Sequence, residues 1–128
     1  MNTPLNPTTV CKPLAAYSQT VSVPADAQWV VIAGQIGVNR NGKLASGIRK
    51  QAEQALRNVV ACARAGGMQK RDLVKITIYL TDPRFVSEFR VARKKILGDD
   101  IVPTSTMLIV QGLASPDMLV EVEAWAAK

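Results

Sequence analysis

The sequence contains no histidine at all. This excludes His-ligated zinc sites, Ser–His and Cys–His nucleophile pairs, and imidazole acid–base catalysis. Any chemistry must draw on carboxylates, Tyr, Lys, Arg, hydroxyls or backbone dipoles. Cysteine is scarce, with Cys11 in a Pro- and Thr-rich N-terminal segment and Cys62 inside a predicted helix. Neither has the spaced Cys or His partners of a metal site or thiol nucleophile. The reading is two free thiols, with Cys62 filling space as a small apolar group; no metal and no cofactor are expected. Aromatics make up 5% of residues, too few for an obvious base-stacking platform. No apolar run approaches the ~20 residues of a membrane helix. The start, MNTPLNPTTVCKP, lacks the basic and apolar regions of a signal peptide, so a cytoplasmic protein without membrane contact is expected.

What is present is a chain of 128 residues, a one-domain length, with 16 Lys and Arg against 10 Asp and Glu and a net charge of +6. Such a charge favours nucleic acid or small anions. The cations are nevertheless dispersed: Arg49, Lys50 and Arg57 on one segment, Lys70 and Arg71 in a turn, Arg90, Arg93, Lys94 and Lys95 on another. No nucleic-acid-binding motif accompanies them, so solvated faces are the better reading.

One domain is expected over residues 1–128, with residues 1–16, rich in proline, as an irregular arm. Tyr17 to Val23 and Gln28 to Val38 read as strands around the turn signal PADA. Ile48, Ala52, Ala55, Leu56, Val59, Val60 and Ala63 recur at helical spacing. Ser46 is available as a cap, a Glu53–Arg57 pair sits on the wet face, and Gly66-Gly67 stops the helix. Val74, Ile76, Ile78 and Leu80 alternate with Lys75, Thr77 and Tyr79 as in a strand. Asp82-Pro83 starts a second helix whose apolar stripe is Phe85, Phe89, Ala92 and Ile96. Pro103 opens a strand to about Gln111, and MLVEVEAWA is the last strand. The order β-β-α-β-α-β-β predicts an α+β protein with both helices on one face of a mixed sheet. The open face would carry Glu121, Glu123 and Trp125, opposite Val120, Val122 and Ala124, and favour self-association.

Three stretches carry a family likeness: AAYSQTV with Tyr17, VIAGQIGVN with Ala33-Gly34-Gln35, and Pro103-Thr104-Ser105-Thr106 followed by the ending VEVEAWA. Together, over about residues 14–127, they resemble the Rid family, also called YjgF or the L-PSP endoribonuclease family. The resemblance implies a chorismate-mutase-like fold, a homotrimer, and clefts between subunits that bind small carboxylate-bearing molecules. The best-known members hydrolyse enamines and imines to 2-keto acids and ammonia, without metal or cofactor. It places Tyr17, Ala33, Gly34, Gln35, Ser105, Met107 and Glu121 around the ligand, with Glu121 in the position of the residue that holds the attacking water.

The chain departs from that pattern at two positions. The serine of a Ser-Gly-Gln motif is Ala33 here, and the arginine of a Pro-Ala-Arg-Ser signature is Ser105. A guanidinium grips a carboxylate with two parallel charge-assisted bonds, which one neutral hydroxyl cannot reproduce. Losing such a contact costs ~2–5 kcal/mol. The expectation is a small-molecule-binding protein without efficient 2-imino acid deaminase activity. Two alternatives stay open: an enamine or imine hydrolase for another, aminomuconate-like substrate, using Glu121, and an endoribonuclease or translation inhibitor. From the residues alone, Tyr17 reads equally as an interface side chain, and Glu121 as one position of a half-exposed strand.

Overall fold

The computed structural model describes all 128 residues. Strand β1 (Thr3–Leu5) pairs antiparallel with β2 (Thr20–Ser22) in a two-stranded ribbon. The main sheet holds β3 (Trp29–Ile36), β4 (Leu73–Leu80), β5 (Thr104–Ile109) and β6 (Val120–Ala127) in the order β3-β6-β4-β5. Its first two pairings are antiparallel and β4–β5 is parallel, so the sheet is mixed as expected. Helices α1 (Gly47–Ala65) and α2 (Val86–Leu97) share one face.

The alternation along β4 and β6 explains that layering. Ile76, Ile78 and Leu80, with Val120, Val122, Ala124 and Ala126, are almost fully buried. They meet Ala52, Ala55, Leu56 and Val59 of α1 and Phe89 and Ala92 of α2 in one core. Trp29, Val31 and Trp125 are 47%, 65% and 46% exposed, so their face is left largely open, bordered by Val21 and Val23 of the N-terminal arm. Polar links tie α1 down. Gln51, itself buried, donates to the Asp117 carbonyl at 2.9 Å and accepts from the Leu119 amide at 2.9 Å, and Asn58 donates to the carbonyls of Ile36 and Val38. Gly37 packs so closely beneath α1 that a Cβ there would lie 2.6 Å from the Gln51 backbone.

Several local expectations change. The N-terminal arm is not wholly irregular, because Thr3–Leu5 pairs with β2. The first expected strand shrinks to Thr20–Ser22 and leaves the main sheet, and Tyr17 lies outside it, directly after a bend at residues 14–16. Ser46 makes no side-chain cap bond on α1. Glu53 is not on a wet face: it is buried between the helices, where Lys95 of α2 reaches it at 3.1 Å and Arg57 at 3.4 Å. A carboxylate at that depth is retained because two cations neutralise it. The Asp82-Pro83 signal starts a single 3-10 turn, Pro83–Phe85, in which Asp82 accepts from the Arg84 amide; α2 follows directly. Gly67, at a φ of 79°, ends α1 where the sequence places the stop.

Leu56 is fully buried between α1 and the sheet. Leu56→Ala should therefore lower unfolding free energy by ~2–5 kcal/mol in urea titration, from lost transfer energy plus the cavity left behind. A loss below ~1 kcal/mol would contradict this packing.

Candidate ligand-binding site

The residues named from the sequence separate onto opposite faces of the sheet. In the parallel β4–β5 pair, Ser105 lies beside Ile76 and Met107 beside Ile78, and both isoleucines point under the helices. Ser105 and Met107 therefore face α2, while Thr104 and Thr106 face the open side with Lys75 and Thr77. The N-terminal arm is pinned at the same place. The buried Ser18 donates its hydroxyl to the Val102 carbonyl at 2.7 Å and its amide to the Pro103 carbonyl at 3.2 Å. That anchor sets Tyr17 beside the mouth of β5.

Tyr17, Ser105 and Met107 thereby line one recess of about 410 Å3, with an apolar floor of Ile78 and Phe89. Its rim is charged: Arg90, Arg93 and Lys94 from α2, and Asp99 just beyond it. These are residues that composition assigned to a solvated face. The signal that could have found them is helical spacing, since positions 90, 93 and 94 share the face of α2 that carries Phe89 toward the core. The three cations differ in what occupies them. Arg93 is 7% exposed and donates to the carbonyls of Ile101 at 2.5 Å and Gly98 at 3.3 Å. Desolvation lowers its pKa from the usual guanidinium value, and the charge of Asp99 partly offsets that. Lys94 pairs with Asp99 at 3.0 Å. Lys95 is turned away to Glu53. Arg93, Lys94 and Lys95 are thus split among separate partners, Arg90 has none within the chain, and the run is not presented as one cationic stripe.

Ala33, Gly34, Gln35 and Glu121 lie elsewhere. Between Ile32 and Gln35 the register with β6 shifts, so that Ala33 and Gly34 bulge opposite a single residue. Glu121 folds over this bulge, and a Cβ at Gly34 would overlap its carboxylate. Absence of a side chain is what lets the acid approach the strand there. The Gln35 amide turns back onto the Ala33 carbonyl at 3.1 Å. Within one chain, then, Glu121 does not share the recess of Tyr17 and Ser105. On the same open face Tyr79 donates its hydroxyl to Glu123 at 2.6 Å, and Trp29 and Trp125 meet edge to face at 6.1 Å. No three His, Cys, Asp or Glu side chains gather as a metal site, and no helix is long and apolar enough to cross a membrane.

Two helices on one face of a mixed four-stranded sheet, with a recess where the second helix meets the parallel edge strand, define an α+β protein of the Rid type. A family model described as endoribonuclease L-PSP matches residues 8–128, and the chain belongs to that family. A RutC family protein of Aquifex aeolicus is 32% identical over 117 residues, covering 91% of both chains. A 2-iminobutanoate/2-iminopropanoate deaminase of Dermatophagoides farinae is 38% identical over 82 residues, covering 62% of this chain and 59% of the relative. Among solved structures, a Rid-family protein of unknown function from Yersinia pestis superposes with a TM-score of 0.84 at 28% identity, covering 99% of this chain and 98% of that one. TdcF of Escherichia coli, solved with bound serine, gives 0.74 at 27% identity, covering 93% and 91%.

The hydrogen bond to Glu123, followed by burial and the charges of Glu123 and Glu121, raises the Tyr79 pKa above its ordinary 10.0. A phenol held neutral in this way contributes stability that is fully present below the unfolded-state value and lost as pH rises through the higher folded-state value. Tyr79→Phe should abolish that alkaline component in denaturation curves measured on either side of pH ~10. An unchanged alkaline profile would refute the contact's role.

Proposed function

We propose that the protein binds a small carboxylate-bearing organic molecule in the recess of Tyr17, Ser105 and Met107, and that it is not an efficient 2-imino acid deaminase. The observation that carries this reading is the placement of Ser105. It faces the recess at the mouth of β5, where the resemblance puts an arginine, and presents only a hydroxyl. The relative named as a 2-iminobutanoate/2-iminopropanoate deaminase and the serine bound to TdcF support small amino- or imino-acid-like ligands as the class.

The reading includes a second copy of the chain. Glu121 and the Gly34 bulge lie on the sheet face opposite the recess, and that face bears exposed Trp29, Val31 and Trp125. A homotrimer of the kind the resemblance implies would cover those side chains and bring Glu121 of one copy to the recess of another. The binding cleft would then lie between subunits.

A second reading keeps catalysis with a different substrate, such as an aminomuconate-like enamine. It is favoured by the Glu121 carboxylate, which makes no ion pair or hydrogen bond within the chain and can orient a water. One assay addresses both. With freshly generated 2-iminobutyrate the protein should release ammonia no faster than the uncatalysed reaction, and Ser105→Arg should accelerate it. Rapid release by the unaltered protein would overturn the first reading. Turnover of an enamine that Glu121→Gln abolishes would establish the second.

A further inference from the structure

The recess holds three cations and one acid, and only one of those cations has nothing to do inside the chain. Arg93 is spent on the Gly98 and Ile101 carbonyls, and Lys94 on Asp99. The nearby acids of the second helix and its lead-in turn are likewise committed, Glu88 to Arg49 at 2.9 Å and Asp82 to Arg84 at 2.7 Å. Arg90 makes no ion pair, and its guanidinium reaches no carbonyl. It stands on the recess wall one helical turn before Arg93 and Lys94, directly after the buried Phe89 that fixes this part of α2. Two hydroxyls with protons to give line the same recess. The Tyr17 oxygen accepts from the Leu14 amide at 3.4 Å, leaving its own proton uncommitted, and Ser105 has no partner within the chain.

We propose that Arg90 is the residue that receives the ligand's carboxylate, replacing from the helix side of the recess the cation that Ser105 does not supply from the strand side. The inference rests on the recess being the ligand site. An arginine fork matches a carboxylate with two parallel bonds, and the Tyr17 and Ser105 hydroxyls can donate to the remaining lone pairs. Ile78, Phe89, Met107 and Leu14 offer apolar contact to the rest of the molecule, so the class is a monocarboxylate with a compact apolar tail. Arg93 is a positioning residue: by bridging to Gly98 and Ile101 it ties the end of α2 to the segment leading into β5, the two walls between which the ligand sits.

The test is calorimetric titration of the full-length protein with 2-oxobutyrate and with its uncharged amide, 2-oxobutanamide, each at low and high salt. Arg90 is exposed, so Arg90→Ala should leave the melting temperature unchanged. It should weaken 2-oxobutyrate binding about tenfold to a hundredfold and leave 2-oxobutanamide binding unaltered. Arg90→Lys should recover only part of the loss, since an ammonium cannot form the fork. Met107→Trp, which fills the recess, should abolish binding of both ligands. If Arg90→Ala binds 2-oxobutyrate as the unaltered protein does while Met107→Trp does not, the recess is the site and Arg90 is not its anchor. Binding that survives Met107→Trp, or its absence from the unaltered protein, would overturn the recess reading and the Arg90 assignment with it.

Discussion

Alternation along the strands is the constraint on which the rest of this molecule depends. Side chains on successive strand positions point to opposite faces, so a sheet with helices on one side has one dry face and one open face. β6 shows it most plainly: Val120, Val122, Ala124 and Ala126 are sealed under α1 and α2, while Glu121, Glu123 and Trp125 are turned outward. β4 obeys the same rule in register, and β5 inherits it through the parallel pairing. A one-residue slip would exchange the two sets and place carboxylates in the core.

That constraint divides the functional residues. Ser105 and Met107 share a face with Ile76 and Ile78 but stand at the edge of the sheet, where the helix layer thins into a recess rather than a core. Glu121 is on the other face by parity alone, and no side-chain rotation can bring it through the sheet. A chemistry that needs both faces needs two copies of the chain, and the proposed meeting place of such copies is the face with the half-exposed tryptophans. The bulge at Ala33 and Gly34 is the local adjustment that lets Glu121 lie flat over its own strand on that side.

Elements whose hydrophobic period is long and clean were legible in the sequence: α1 from its seven apolar positions, β4 and β6 from strict alternation, and the end of α1 from its glycine pair. What escaped depended on distant partners. The Thr3–Leu5 strand is three residues long, contains Pro4, and exists only because β2 lies beside it. Glu53 looked like half of a surface i, i+4 pair, because nothing local shows that Lys95 closes over it from another helix. Tyr17, Ser105 and Met107, which the family likeness points to, fall in one recess, but in the sequence the charged wall of that recess looks like solvated surface. Arg90, Arg93 and Lys94 are indistinguishable from ordinary surface cations until α2 is docked against β5 and the arm is pinned by Ser18.

The central proposal is that the recess beside the edge strand binds the ligand while Glu121, on the opposite face of the sheet, is supplied by another copy of the chain. A crystal structure of the protein with 2-oxobutyrate tests it most directly. The account predicts the ligand between Tyr17 and Ser105, its carboxylate toward α2, with Glu121 of a neighbouring copy as the nearest acid. Ligand density on the open sheet face of a single chain, beside that chain's own Glu121, would contradict it.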